Sequence, residues 1–140
     1  MELGDMRRSL TELREALLRL HKALIESERA SYEKTFGKIM SPYQFLQLLT
    51  NDPWFAWLRP VSQLVATMDE TLDAKESLTV AGMKALTGQA KKLLVAMPGS
   101  QGFSGHYDEA LQRDPDVVFA HAEAARLMRA QTGETASLQS

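Results

Sequence analysis

The sequence predicts an all-α protein, a single-domain bundle of about five helices with a short tryptophan-bearing helix between prolines. Three observations favour this fold class. Leucines recur at alternating spacings of three and four residues, which is the period of a helix face and not the alternation of a strand. Serine or aspartate followed by proline marks helix starts. The length of 140 residues suits one domain with its own core.

The longest predicted helix begins at Ser9. Ser9 and Glu12 have the spacing of a capping box, in which the two side chains bond each other's backbone amides. A leucine stripe follows, and Gly37 is the expected end of the helix. We therefore assign residues 1–8 to a flexible N-terminus, 9–131 to the helical bundle and 132–140 to a disordered tail. The stripe consists of Leu10, Leu13, Leu17, Leu20 and Leu24.

The later helices are bounded by capping residues and by prolines. Ser41-Pro42 begins a short, mostly apolar helix, and Asp52-Pro53 begins the next one. Pro60 disfavours helical geometry at Arg59, so the backbone is expected to bend there. Pro98 and the three glycines up to Gly105 predict a mobile loop at 98–105. The remaining helices are expected at 61–72, from 77 or 79 to 97, at 106–113 and from 115 onward.

Both tryptophans stand in the segment from Asn51 to Pro60, which is the most distinctive part of the chain. In an α-helix Trp54, Trp57 and Leu58 share one face, which predicts that the tryptophans anchor the core while Phe55 points elsewhere. The alternative is an interface covered by a second copy of the chain, because aromatic side chains dominate protein interfaces. Its candidate residues are Trp54, Phe55, Trp57 and Arg59.

The segment Asn51 to Pro60, taken together with Tyr107 to His121, resembles an uncharacterised family of bacterial all-helical proteins. The resemblance covers most of the chain from Leu10 to Met128. It implies a helical fold, and it transfers no catalytic residue.

Composition excludes several classes of function. The net charge of −2 provides no general attraction to nucleic acid or to anionic lipid. The chain has no cysteine, and its first residues are polar and not the apolar core of a signal peptide. Its apolar runs are far shorter than the roughly 20 residues needed to cross a bilayer. We expect a cytoplasmic protein without a cofactor, a nucleic-acid partner or a membrane partner.

Three histidines are the only candidates for a metal site. Inward-facing histidines bind metals in some helical bundles. The alternative hypothesis is therefore a metal site formed by His21, His106 and His121. Such a site would be similar to the three-histidine sites of metal-dependent enzymes of the damage-inducible family. Their spacing matches no metal-binding motif, which favours half-buried histidines bonded to neighbouring groups. The glycines around Ser104 lack the surrounding pattern of a nucleophile elbow or of a phosphate-binding loop.

The sequence therefore predicts a non-enzymatic binding or interaction module that acts as a homodimer. Its partner is expected to be itself, another protein or a small apolar ligand. The alternative is a metal-dependent helical-bundle enzyme that uses the three histidines.

Overall fold

The computed structural model describes residues 3–74 and 78–132, and every regular element within these two ranges is helical. Within these ranges six α-helices and one 3-10 helix follow each other, which confirms the all-α class. They are α1 (Leu3–Phe36), α2 (Pro42–Asn51), the 3-10 segment (Pro53–Leu58), α3 (Arg59–Asp73), α4 (Val80–Leu93), α5 (Phe103–Arg113) and α6 (Pro115–Thr132).

Helix α1 is the central element of the bundle. Its 34 residues span about 50 Å at 1.5 Å per residue. Its main partners are α6 and α3, and it also contacts α4, α5 and the 3-10 segment. The predicted stripe from Leu10 to Leu24 is completely buried, so the leucine spacing identified the core face correctly.

The predicted start of this helix at Ser9 is wrong. Helix α1 begins at Leu3, so residues 3–8 are helical and are not a flexible N-terminus. Met6 lies one turn before Leu10 and is buried with it in the core. The Arg7 guanidinium also donates a hydrogen bond of 2.7 Å to the carbonyl of Leu72, near the end of α3. Tertiary packing thus extends the helix past a capping-box pattern.

Helix α4 is shorter than predicted, and the glycine-rich loop is partly helical. Thr79 is the N-cap of α4, because its hydroxyl accepts a hydrogen bond of 2.9 Å from the amide of Gly82. The helix ends at Leu93, four residues before Met97. Helix α5 begins at Phe103, so only the first part of the predicted loop 98–105 connects helices.

Some predictions fall outside the described residues. The alternative start of α4 at Ser77 lies there, as does the tail from residue 133, while Thr132 is the last helical residue of α6. Within the described ranges, none of the helices combines the length and the apolar character that crossing a bilayer requires.

Candidate interaction surface on helix α2

The 3-10 segment distributes its aromatic side chains differently from an α-helix. With three residues per turn, residues i and i+3 lie directly above each other. Phe55 and Leu58 therefore share the core face, and Phe55 is only 1 % exposed. Trp54 and Trp57 share another face and are half-buried. The prediction that Phe55 points away from the core was wrong, because it assumed the α-helical period. Phe55 is buried, whereas Trp54 and Trp57 pack against the core as partly buried side chains.

The 3-10 segment supports helix α2 through aromatic contacts. The rings of Phe55 and Phe45 meet edge to face, with centroids 5.9 Å apart. Phe55 also contacts Tyr32 of α1 at 5.5 Å, and the Trp54 ring lies 5.5 Å from Phe36, the last residue of α1. Such pairs add to the free energy of burial. The tryptophan segment thus forms a platform between the end of α1 and helix α2.

Two further interactions fix the ends of α2. The hydroxyl of Ser41 accepts a hydrogen bond of 3.1 Å from the amide of Gln44, as expected of an N-cap. At the other end the Arg59 guanidinium donates a hydrogen bond of 2.8 Å to the carbonyl of Thr50. Arg59 therefore joins the last turn of α2 to the start of α3. That Arg59 contributes to a protein interface stays a prediction.

Helix α2 itself leaves a large apolar surface uncovered. None of its ten residues is buried, although Phe45, Leu48 and Leu49 are partly buried against the core. On its outer side Tyr43 is 72 % exposed and Leu46, one turn later, is 58 % exposed. Met40, just before the helix, is 80 % exposed. We refer to Met40, Tyr43 and Leu46 as the α2 face. An exposed cluster of large apolar side chains is typical of an interaction site.

A groove of about 400 Å³ lies beside this surface. Met40 and Leu46 line it together with partly buried apolar residues and with Arg29 of α1. The Arg29 guanidinium lies 4.7 Å from the centroid of the Phe45 ring, within the range of a cation–π interaction. The groove therefore combines apolar walls with a positive charge.

The chain around the groove is basic. From Arg29 to Asn51 it carries three cations, Arg29, Lys34 and Lys38, and one carboxylate, Glu33. That carboxylate is already engaged, because it accepts a hydrogen bond of 2.7 Å from the amide of Ile39 and lies 3.7 Å from Arg29. Helix α2 has no charged residue at all. The lack of charged residues in α2 is visible in the sequence. It indicates an interaction surface, since a ten-residue helix without a charge has no strongly hydrated face.

A second cavity, of about 230 Å³, is lined in part by Trp54. Its wall includes Glu28, which is 5 % exposed, and the Arg113 guanidinium of α5. Arg113 donates hydrogen bonds of 3.2 Å to Glu28 and of 3.0 Å to the hydroxyl of Ser27. The buried carboxylate thus has its counter-charge within the protein. This network holds α5 against α1, and we assign it a structural role.

The three histidines occupy different places. His21 lines a small depression with Ile25 and Leu58, the His106 ring stacks on Trp57 at 5.3 Å, and His121 contacts Tyr107. Among the described residues, no three histidine, aspartate or glutamate side chains are grouped so that they could hold a metal ion. His21, His106 and His121 therefore do not form the three-histidine metal site of the alternative hypothesis.

No family model, curated protein or solved structure matches this chain. The resemblance carried by Asn51 to Pro60 and by Tyr107 to His121 accordingly stays a prediction.

The contact between buried Tyr107 and half-buried His121 makes stability depend on pH. Burial raises the pKa of Tyr107, so its hydroxyl stays protonated, and it shares a 2.6 Å hydrogen bond with Nδ1 of His121. The pKa of His121 lies below its usual 6.5, mainly because the ring is partly buried and also because the charge of Arg129 is near. Burial also lowers the pKa of His21. Below about pH 6.5 the unfolded chain therefore binds more protons than the folded chain.

We expect the free energy of unfolding to decrease as the pH falls below about 6.5, and to be insensitive to these histidines above it. Urea unfolding of the wild type and of a His21→Gln/His121→Gln variant over a pH series measures this effect. The variant should show a shallower decrease than the wild type. Equal slopes in the two proteins would contradict the assignment.

Proposed function

We propose that this chain is a non-enzymatic interaction module, and that its α2 face binds an apolar segment of another protein. One observation carries the proposal: α2 is held in place at both ends and from below, yet its outer side exposes Met40, Tyr43 and Leu46. A well-anchored helix that leaves large apolar side chains in water is a surface that a partner can cover.

The charges favour a partner with acidic residues. The groove contains Arg29, and Lys38 directly precedes two of the groove residues. A two-fold pairing of this surface with itself would bring the cations of both copies together, which is unfavourable. A different protein that carries carboxylates beside its apolar anchors avoids that repulsion. The best match is an amphipathic helix that lays its apolar face into the groove.

A lipid surface fits these observations less well. Helices that lie on membranes carry lysine and arginine along their polar face. Helix α2 carries neither, and its polar residues are uncharged glutamine, threonine and asparagine. The net charge of −2 also opposes attraction to anionic lipid.

A displayed library of helical peptides tests the proposal. We expect selection on the wild-type chain to enrich peptides with apolar residues at helical spacing and with aspartate or glutamate beside them. Binding of the synthesised peptides, measured by fluorescence anisotropy, should be lost with Tyr43→Ser/Leu46→Ser and weakened with Lys38→Glu. Val80→Ser is the matched control, because Val80 is also an exposed apolar residue but lies on α4.

Two results would count against the proposal. Peptides that bind the Tyr43→Ser/Leu46→Ser variant as well as the wild type would place the binding site elsewhere. Enrichment of basic peptides would contradict the charge argument. Flotation of the chain with anionic vesicles, lost in the same double variant, would instead identify the α2 face as a lipid-binding surface.

A further inference from the structure

A second surface groove lies between α1 and α6 and has a different character from the groove beside α2. It encloses about 440 Å³, and the small residues Ala23 and Ala120 line it where the two helices run side by side. Phe119 stands at this groove and is 72 % exposed. Exposing a phenylalanine ring to water is unfavourable unless another surface covers it.

The two edges of this groove carry opposite charges. Its α1 edge has two cations, Arg19 and Lys22, and one carboxylate, Glu26. Its α6 edge has three carboxylates and no cation among the residues that line the groove: Asp114, Asp116 and Glu123. The positive charge of Arg19 contributes to lowering the pKa of Glu123, after the larger effect of its hydrogen bond with Arg126. The groove is therefore basic along one edge and acidic along the other.

Such a pattern is complementary to itself. In a two-fold symmetric pair the same surface of each copy faces the other, so a residue on one edge meets a residue on the opposite edge of the second copy. Here the α1 edge of one copy would face the α6 edge of the other, and each contact would join charges of opposite sign. The two Phe119 rings would then be covered by the alanine-lined floors between the edges.

We propose that the α1–α6 groove is the surface through which two copies of this chain form a symmetric dimer. This surface shares no lining residue with the groove beside α2. Dimerisation and peptide binding at the α2 face can therefore be measured separately, and either can fail without the other.

Sedimentation velocity of the full chain over a concentration series tests the proposal first. We expect reversible self-association that Phe119→Ser weakens by at least about tenfold, because an exposed aromatic at the centre of an interface is a typical hot spot. Leu46→Ser, which removes an exposed apolar side chain from the α2 face, should leave the dimer unchanged. Circular dichroism should show that both variants stay folded, since both side chains are exposed.

A charge-swap experiment tests the symmetry. Arg19→Glu/Lys22→Glu makes both edges acidic, and Asp116→Lys/Glu123→Lys gives both edges a net positive charge. We expect each double variant to self-associate less than the wild type. A mixture of the two should form heterodimers, seen by native mass spectrometry, because each acidic edge then faces a basic one.

Other results of these experiments would contradict the proposed dimer. A chain that stays monomeric at every concentration would overturn the proposal. So would a dimer that Phe119→Ser leaves intact, or one that Leu46→Ser abolishes. Failure of the two charge variants to associate with each other would rule out the two-fold arrangement.

Discussion

Replacing Phe55 with alanine is expected to lower the free energy of unfolding by about 3–5 kcal/mol, the usual range for truncating a buried phenylalanine. The Phe55 ring is 1 % exposed and contacts Tyr32 and Phe45, so its removal leaves a cavity where α1, α2 and the 3-10 segment meet. Urea unfolding monitored by circular dichroism measures the loss.

Two matched substitutions make this prediction specific. Trp57→Ala should cost less than Phe55→Ala, because Trp57 is half-buried and its indole N–H is buried without an acceptor among the described residues. At chain concentrations where the wild type is monomeric, Phe119→Ala removes an exposed ring and should change the free energy of unfolding by no more than about 0.5 kcal/mol. A larger loss for Trp57→Ala than for Phe55→Ala would mean that the tryptophan face is the anchor after all.

Replacing Gly105 with alanine is expected to destabilise the protein by about 3 kcal/mol, the upper end of the range for overpacking. A Cβ atom at Gly105 would lie 1.7 Å from the carbonyl oxygen of Ser100. That neighbour is backbone, so a side-chain rotation cannot relieve the clash. The connection before α5 is also fixed by a 3.2 Å hydrogen bond from the amide of Met97 to the carbonyl of Ser104.

Gly88 provides the control for this experiment. It lies inside α4, and a Cβ atom there would meet nothing within 4 Å. Gly88→Ala should therefore stabilise the protein by about 0.5–1 kcal/mol through helix propensity alone. Thermal unfolding of both variants distinguishes the two glycines. Similar melting temperatures would show that the connection before α5 moves freely enough to accept a side chain.

The two proposed surfaces have a joint consequence. A dimer formed through the α1–α6 groove would carry two α2 faces, one on each copy. Binding of a partner with two suitable segments would then gain from avidity, because the second contact becomes intramolecular. The monomeric Phe119→Ser variant should keep the affinity for a single peptide and lose this additional gain.

The fold class and much of the core could be predicted from local patterns. The stripe from Leu10 to Leu24 identified the buried face of α1, because a helix repeats every 3.6 residues whatever surrounds it. The caps at Ser41 and Asp52 lie where the sequence placed them, since capping is an interaction between residues a few positions apart. Thr79, one of the two starts expected for α4, is its N-cap.

The candidate surfaces could not be predicted in the same way. Exposure of Tyr43, Leu46 and Phe119 depends on which neighbouring elements cover them, and that information is not local. Helix α2 was expected to be mostly apolar, yet none of its residues is buried. The pairing of Arg113 with Ser27 and Glu28 likewise joins residues 86 and 85 positions apart.

The sequence by itself determined the helical class, the buried stripe of α1 and three helix starts, because these depend on periodicity and on capping between near neighbours. Only the tertiary structure decided that α1 begins at Leu3, that Phe55 is buried while the tryptophans are partly buried, and that the histidines lie apart. The physical reason is that burial results from packing between distant elements. A 3-10 turn, or a neighbouring helix that fails to cover a face, changes which side chains are buried without changing the local pattern.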